Sequence, residues 1–476
     1  MKKWIILLLC LAVLLGCAAC SAGSNETTAA PTTTAPAAGF RVGFGRGCFT
    51  PTGPVPLSGF GNDSERMSTR VLDDLFVTVI AVSDADDNTV LMITCDIIRS
   101  TPSSSVKQLI NAASKASGVP AANIFYSSTH SHSTPSPASG GISDLLKEAI
   151  EKAAADAMAD RCEAQMYIGT AQTENLNFVR LYTCNDGSYV GDNHGSRGGK
   201  TLTGHATEAD NQMQLIRFVR EGSKDILLMN WQAHPSLTSI DGDIKTDVSA
   251  DYIGPCRDTI EQELDCHFAF FQGAAGNLNP YSWIASENIS EKKDHQLHGQ
   301  ALARCAIDAL DSLQLVQPGP VQVTSKKVEC TVDRPTSDLM TAAIAFKDAY
   351  KTGGIQAGVE ASGGLVQSTF EADSITTRAS MNATENIQIY AVSFGDVSFV
   401  TAPYEMFDIN GMFVKENTPF EMTFILYLCN GGRGYIPSDC FFDYGSYEVD
   451  TTYYVRGTAE QLADSMLELL KDLRGA

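Results

Sequence analysis

The amino-acid sequence predicts an α/β fold in which a mixed β-sheet core is flanked by helices. Two observations support this prediction. Apolar, strand-like runs alternate with stretches of helical periodicity, and several of the apolar runs stop at a polar residue or a glycine-rich turn. In addition, residues 40–476 form a segment long enough to bury a large core as one or two domains. Functional groups of α/β proteins typically lie beyond the carboxyl ends of strands, so we expect functional residues at the ends of these runs.

The first part of this segment predicts a hairpin followed by two helices with a strand between them. Residues 75–82 and 89–94 are apolar and rich in β-branched side chains, and an Asp- and Asn-rich turn separates them. Residues 103–116 have apolar positions at helical spacing, 124–126 begin the next strand, and 142–158 are a second helical stretch.

The later part repeats the pattern of apolar runs that stop at polar or glycine-rich residues. The runs are 226–231 before His234, 268–271 before a Gly-Ala-Ala-Gly turn, 397–401 before Glu405, and 424–428 before Tyr435. Residues 459–473 predict an amphipathic helix, because their leucines share one face. Residues 353–381 are rich in Gly, Ser and Thr and predict a long loop. His295 and His298 lie among charged residues, which predicts a solvated helix face.

The first 39 residues predict an exported and anchored protein. Residues 1–16 join a basic start to an apolar run that is too short for an ordinary membrane span, as in a signal peptide. The Leu-Leu-Gly-Cys motif ending at Cys17 resembles a bacterial lipobox, which implies lipidation of Cys17. Cys20 is the weaker alternative, and a plain secretory signal is another. Residues 17–39 then form a flexible Ser/Thr/Ala/Pro tether. We therefore expect a protein held by lipid at the cell membrane, facing outside the cytoplasm.

The formal charge of −22 argues against nucleic acid as a partner, because binding phosphate requires a basic surface. The cysteines after Cys20 show no CxxC pair and no regular spacing, so disulfide pairing stays open. The oligomeric state is equally open.

Three residues at predicted strand ends have the chemistry of a metal site. His130 lies in the segment Thr-His-Ser-His-Ser, and His234 and Glu405 follow later runs. Two His and one Glu can hold zinc with an open position for water, which becomes a nucleophile toward an amide or ester carbonyl. His132 and Arg180 are candidates for proton transfer and for stabilising the oxyanion.

Each of these residues also has a structural explanation. His234 can hydrogen-bond a buried backbone group, and Glu405 can be a carboxylate favoured at a helix start. Tyr435 can pack in the core with its hydroxyl at the edge. Arg180 can be a surface charge.

Taken in order, these segments resemble the neutral/alkaline (non-lysosomal) ceramidase family. The resemblance spans about residues 40–473, and six or more segments occur in the family's order. They are Val42-Gly43-Phe44-Gly45-Arg46-Gly47, Leu57-Ser58-Gly59-Phe60, Asp96, Thr129-His130-Ser131-His132-Ser133, Asn177-Phe178-Val179-Arg180, Asn230-Trp231-Gln232-Ala233-His234, Ser249-Ala250-Asp251, Gln272-Gly273, Pro403-Tyr404-Glu405, Gly434-Tyr435-Ile436-Pro437 and Tyr447-Glu448.

The resemblance implies a single large catalytic domain with one zinc ion, and hydrolysis of the N-acyl amide of ceramide to a fatty acid and an amine. By position, the zinc ligands are His130, His234, Glu405 and Tyr435. His132, Arg180 and Tyr447 then surround the water and the substrate carbonyl: Arg180 and Tyr447 stabilise the oxyanion, and His132 moves protons.

Two departures from the family pattern bear on mechanism and substrate. A family serine that has been proposed as a nucleophile has no counterpart in Gly273-Ala274-Ala275-Gly276, which leaves the zinc–water mechanism. The family's C-terminal β-sandwich is not expected. Two alternatives stay open: a zinc hydrolase of the same fold with another amide or ester substrate, and a non-catalytic solute-binding lipoprotein.

Overall fold

The computed structural model describes residues 39–60, 66–99, 103–137, 139, 141–192, 199–240, 244–284 and 294–475. The predicted signal peptide, Cys17, Cys20 and the tether up to residue 38 lie outside the described residues. Those from 39 onward belong to one compact unit. Across these ranges, no helix combines the length and apolarity needed to cross a bilayer, and the cysteines from Cys48 to Cys440 are all unpaired.

The strands alternate with helices along most of the chain. The strands are β1 (Arg41–Cys48), β2 (Arg70–Val71), β3 (Phe76–Ser83), β4 (Thr89–Cys95), β5 (Ile124–Ser128), β6 (Cys162–Gln172), β7 (Phe178–Val179), β8 (Leu181–Cys184), β9 (Tyr189–Gly191), β10 (Leu202–His205), β11 (Gln212–Arg220), β12 (Ile226–Trp231), β13 (Asp247–Val248), β14 (His267–Gln272), β15 (Leu278–Asn279), β16 (Gln314–Val316), β17 (Val321–Thr331), β18 (Thr384–Phe394), β19 (Val397–Ala402), β20 (Glu405–Met406), β21 (Met422–Tyr427) and β22 (Tyr435–Ile436). The helices are α1 (Ser103–Ser117), α2 (Ile142–Ala159), α3 (Leu237–Ile240), α4 (Ile253–Leu264), α5 (His295–Ala309), α6 (Ser337–Ala361), α7 (Thr369–Ser380), α8 (Asp408–Asn417), α9 (Phe441–Tyr444), α10 (Tyr447–Thr451) and α11 (Thr458–Gly475).

Two mixed sheets pack face to face at the centre of the fold. The larger has the strand order β14-β12-β11-β6-β1-β3-β4-β5, with β16 also paired to β6, and the smaller has the order β17-β18-β19-β21. Side chains from both sheets share one core cluster, which includes Phe44, Val82, Phe399 and Phe424. The outer faces are covered by helices, α1 and α2 on part of the larger sheet and α11 on the smaller. The predicted α/β fold with helices flanking a mixed sheet is confirmed, and the structure adds the second sheet.

Burial of both sheet faces explains the unbroken apolar runs in the sequence. In β3, Val77 and Val79 face the helices, whereas Ile80 and Val82 face the second sheet. A strand covered on both sides needs apolar residues at consecutive positions. The predicted hairpin is β3–β4, paired antiparallel from Val77 with Cys95 to Ser83 with Thr89.

The loop predicted over 353–381 is wrong, because most of this stretch is helical. Helix α6 continues to Ala361 across a kink at Gly354, and α7 begins after Ser368, whose side chain accepts a hydrogen bond from the backbone of Glu371. The two helices bury Phe346 and Ile375 against each other. Glycines and hydroxyl residues weaken the local helical signal, but this tertiary packing and the Ser368 cap outweigh that weakness.

The prediction of a solvated face for His295 and His298 is also wrong, since both side chains are buried. Asp294 caps the start of α5, which turns His298 inward. Its ring lies 5.2 Å from that of Tyr252 and 5.9 Å from that of Trp231. Of the charged residues that suggested solvent, Asp294 is the cap that precedes the helix, and the other three, at 291–293, lie outside the described residues.

Candidate active site

Parallel strand pairs bring four functional side chains to one edge of the two sheets. β4 pairs with β5, β12 with β14, and β19 with β21, all in parallel. His130, His234 and Glu405 each lie within three residues of the carboxyl end of a strand in these pairs. A further parallel pair, β20 with β22, sets Glu405 directly beside Tyr435. The sequence-predicted residues therefore meet, although they are far apart along the chain.

The polar atoms of these four side chains lie close to one another. His130 Nε2 lies 3.3 Å from Glu405 Oε2, and His234 Nε2 lies 3.6 Å from the same oxygen. The Tyr435 hydroxyl lies 3.4 Å from His234 Nε2. The two histidines and the carboxylate are almost fully buried.

Backbone carbonyls orient both imidazoles. His130 Nδ1 lies 2.7 Å from the Ile98 carbonyl, and His234 Nδ1 lies 2.8 Å from that of Ala275. Since a carbonyl only accepts, Nδ1 carries the proton in each ring, and Nε2 presents its lone pair to the centre. His130 adopts a φ of 72°, a conformation that is uncommon for residues other than glycine. Such strain is typical of functional sites where the surroundings fix one side-chain direction.

Burial controls the protonation of the cluster. Desolvation, together with the nearby Arg180 charge, lowers the pKa of His234 to about 4. Desolvation likewise holds the pKa of His132 well below its usual range. Burial opposes ionisation of Glu405, but His130 and His234 outweigh this effect and hold the pKa of the carboxyl well below its ordinary value. Neutral imidazole and ionised carboxylate are the protonation states that bind metal.

His132 lies closer to this centre than a role in proton transfer alone requires. His130, His132 and His234 each offer one ring nitrogen, and these three atoms all lie within 4.8 Å of one another. Neither nitrogen of His132 has a hydrogen-bond partner among the described residues. Gly59 packs against this ring so tightly that a Cβ there would lie 2.7 Å from Nδ1. The Leu-Ser-Gly-Phe segment of the sequence thus supports His132.

Arg180 and Tyr447 lie beside Tyr435. The Arg180 Cζ atom stands 5.4 Å from the centre of the Tyr435 ring, and the rings of Tyr435 and Tyr447 are 5.8 Å apart. Arg180 is buried, which rules out the surface-charge alternative. Burial opposes the charge of Arg180, but Glu448 and Tyr435 outweigh that effect and keep its pKa well above the ordinary value.

A cleft of about 690 Å³ opens onto these groups. One part of the lining carries the candidate catalytic residues, and another part comes from α6, α7 and the segment between them. The first part includes His132, Arg180, His234, Tyr435 and Tyr447, and the second includes Ile355, Gln356, Val359, Gln367 and Phe370. The two parts meet at the ring of Phe370, which lies 5.8 Å from that of Tyr447.

The sequence analysis did not predict the roles of three residues that shape the centre. The Tyr427 hydroxyl donates a hydrogen bond of 3.1 Å to Glu405 Oε2, and its position at the end of β21 was the available signal. Glu448 pairs with Arg180. Gly276 packs so closely that an added Cβ would lie 2.7 Å from the Glu405 carbonyl oxygen. A side chain at this position would therefore displace the backbone that carries Glu405.

The donor set fits a zinc ion. Ligand atoms around a tetrahedral zinc lie roughly 3.3 Å apart, since each bond is about 2.0–2.1 Å long. The separations of 3.3–3.6 Å between the imidazole, carboxylate and phenol atoms agree with that value. His130 Nε2 makes no hydrogen bond of good geometry within the described residues, although Glu405 is adjacent. A buried nitrogen left without a proton donor is what a metal ligand requires.

The fold and the site together define an α/β protein with a candidate mononuclear metal centre at its strand ends. Its fold is that of neutral ceramidase. The crystal structure of neutral ceramidase from Pseudomonas aeruginosa aligns with a TM-score of 0.68 over 92% of this chain and 75% of that chain, at 15% identity. A structure described as ceramidase complexed with C2 aligns with the same TM-score and coverage, at 16% identity. No family model and no curated protein sequence matches the chain. The similarity establishes the fold, so the activity must be argued from the site.

Proposed function

We propose that this protein is a zinc-dependent hydrolase that cleaves the N-acyl amide bond of ceramide or a related N-acyl lipid. The observation that carries the proposal is the convergence of His130, His234 and Glu405 on one point, with separations suited to one zinc ion, beside a cleft that His234 lines. Two solved structures that share the fold are described as ceramidases, which supports the choice of substrate class.

In this proposal, His130, His234, Glu405 and Tyr435 hold the zinc. The bound ion supplies Lewis-acid polarisation and lowers the pKa of water for attack on a carbonyl. The carbonyls of Ile98 and Ala275 fix the two imidazoles, so little reorganisation is needed on binding.

Three further residues act on the substrate. Arg180 and Tyr447 donate hydrogen bonds to the oxygen of the scissile carbonyl as negative charge develops there. His132 accepts a proton on the attacking side and returns it to the departing amine, because an amide nitrogen leaves only after protonation. Burial that keeps His132 neutral leaves it able to accept that proton.

The lining from α6 and α7 suits an acyl chain. Ile355, Val359 and Phe370 add apolar surface to the cleft that holds the candidate catalytic residues, and Phe60 adds a further ring beside His132. Burying aliphatic carbon against such surface stabilises a complex by roughly 0.8 kcal/mol per methylene group. An N-acyl lipid gains this energy, whereas a small polar amide does not.

Release of fatty acid from a short-chain ceramide by the purified protein tests the proposal. We expect turnover together with one zinc per chain by elemental mass spectrometry, and loss of both in His130→Ala. The matched control is His267→Ala, which removes an imidazole stacked on Phe44 away from the cleft and should leave both unchanged. Wild-type protein that binds zinc yet hydrolyses no N-acyl lipid would disprove the ceramidase assignment.

A second candidate has support from the polar residues of the cleft. Asn279, Gln356 and Gln367 offer amide groups near the apolar surface, and they suit a more polar amide or ester substrate. A panel of N-acyl amino acids and short esters separates the two candidates. A kcat/KM at least tenfold higher for one of these than for ceramide would favour this second substrate class.

We also propose that lipidation of Cys17 holds the enzyme at the outer face of the membrane, where a lipid substrate is concentrated. Cys17→Ala should move the protein from the membrane fraction to the medium or periplasm, whereas Cys20→Ala should not. The opposite result would identify Cys20 as the lipidated residue.

A further inference from the structure

We propose that Glu448 is a positioning residue that holds Arg180 in its place and fixes Arg180 and Tyr447 relative to each other. The inference rests on the proposed function, because it concerns the two groups assigned there to the substrate carbonyl. Glu448 does not line the cleft among the described residues, so it acts through Arg180.

The contact between the two residues is short and buried. Arg180 Nε donates a hydrogen bond of 2.6 Å to Glu448 Oε1, and Nη2 donates one of 3.0 Å to the Gly276 carbonyl. Only 5% of Arg180 and 4% of Glu448 are exposed. A buried, charge-assisted hydrogen bond is stronger and more directional than one in water. Together the two acceptors restrict the rotation of the guanidinium.

Electrostatics explains why Arg180 needs this partner. Its Cζ atom lies 5.4 Å from the centre of the Tyr435 ring, and its charge acts on His234; both residues are proposed zinc ligands. Two cations that share such neighbours repel each other when water is excluded. Glu405 alone cannot offset both charges, and Glu448 supplies the second carboxylate. Without it, Arg180 would leave its place or disfavour the metal.

The short helix α10 links this pair to Tyr447. Tyr447 and Glu448 are consecutive, and the Ser446 side chain accepts a hydrogen bond from the backbone of Val449 at the start of the helix. The Ser374 hydroxyl of α7 donates a hydrogen bond of 3.0 Å to the Thr451 carbonyl. The position of Tyr447 is therefore tied to that of Arg180 through a single side chain.

Steady-state kinetics of Glu448→Gln test the proposal. The amide keeps the shape of the side chain but removes its charge. We expect kcat to fall ~10²-fold with KM within ~3-fold, since a misplaced oxyanion donor acts in the transition state. Glu448→Asp should restore kcat to within ~10-fold of wild type, because it keeps the charge at a slightly longer reach. The control Asp443→Asn removes a carboxylate from an exposed pair with Arg456 and should leave kcat unchanged.

The Arg180→Gln background distinguishes positioning from a direct or purely structural role. If Glu448 acts through Arg180, adding Glu448→Gln to Arg180→Gln should lower kcat by less than ~3-fold. The double variant contains no unpaired buried charge, so it also serves if Glu448→Gln alone folds poorly. A further 10²-fold loss in that background would overturn the proposal.

A crystal structure of Glu448→Gln gives a readout that does not depend on turnover. We expect the guanidinium of Arg180 to move away from Tyr435 and the Gly276 carbonyl. An unmoved Arg180 would overturn the proposal even if the enzyme hydrolyses ceramide. Conversely, a displaced Arg180 in a protein with no hydrolytic activity would support the positioning role while the proposed function fails.

Discussion

The molecule contains two kinds of buried histidine, and they differ in what surrounds them. The buried His130 and His234 converge with the half-buried His132 on one point beside a carboxylate, and His132 and His234 line the cleft. His298 is alone, enclosed by the rings of Trp231 and Tyr252. Burial lowers the pKa in both regions, to about 4 for His234 and about 3 for His298.

A depressed pKa therefore does not identify a functional histidine in this protein. Within the cluster, His130 and His234 are distinguished by outer nitrogens that are held by backbone carbonyls and by inner nitrogens that approach one carboxylate. His298 lacks a hydrogen-bond partner on both nitrogens within the described part of the chain. His298 packs in the core as an apolar ring, and protonating it there would cost free energy because the charge would be buried without a partner.

Removing a histidine of the cluster should have the largest effect. We expect His234→Ala to lower kcat/KM by about 10³-fold or more, because an incomplete ligand set would lose the metal that the proposed reaction requires. Zinc content should fall from one per chain to nearly none. Full zinc content in this variant would show that the cluster is not the metal site.

His132 gives the next largest effect and decides between two roles. We expect His132→Gln to reduce kcat roughly 10²–10⁴-fold, the range for loss of a general acid or base. Retention of one zinc per chain would assign His132 to proton transfer. Loss of zinc would make it a ligand, as its distance from His130 and His234 also allows. Elemental analysis of the dialysed protein separates these outcomes.

His298 should affect the pH dependence of stability instead of catalysis. Its pKa is about 3 in the folded protein against 6.5 for an ordinary imidazole, so the unfolded state binds more protons between these values. The contribution of His298 to the free energy of unfolding is fully present above about pH 6.5 and declines as the pH falls toward 3. Between pH 7 and pH 5 the wild type should lose about 2 kcal/mol more than His298→Phe. Urea unfolding at both pH values checks this, and equal losses would contradict it.

Gly276 should give the smallest change and shows how the backbone supports the cluster. A Cβ at this position meets the carbonyl of Glu405, so Gly276→Ala should shift that residue and weaken zinc binding about tenfold, as loss of supporting contacts does at other metal sites. Competition with a chelator measures the affinity. The control is Gly53→Ala, where the new methyl group meets no atom within 4 Å. Unchanged affinity in Gly276→Ala would show that the strand end tolerates the shift.

Local sequence patterns predicted the elements that depend on periodicity. The hairpin β3–β4, the helices α1, α2 and α11, and the strands β12, β14, β19 and β21 appear within two residues of the predicted bounds. These elements have long apolar or amphipathic patterns, and the buried stripe of α11 includes Leu462, Met466 and Leu470. The likeness to ceramidases in the motif order is matched by the fold. The metal and catalytic roles of the individual residues remain predictions.

The sequence by itself determined which residue types end the strands, and hence that His130, His234 and Glu405 were candidates for one site. Only the tertiary structure decided the distances between them, the inward turn of His298, the helical state of 353–361 and the pairing of Arg180 with Glu448, 268 residues later. The physical reason is that a local pattern reports how a segment folds, whereas burial and ion pairing depend on which distant segments pack against it.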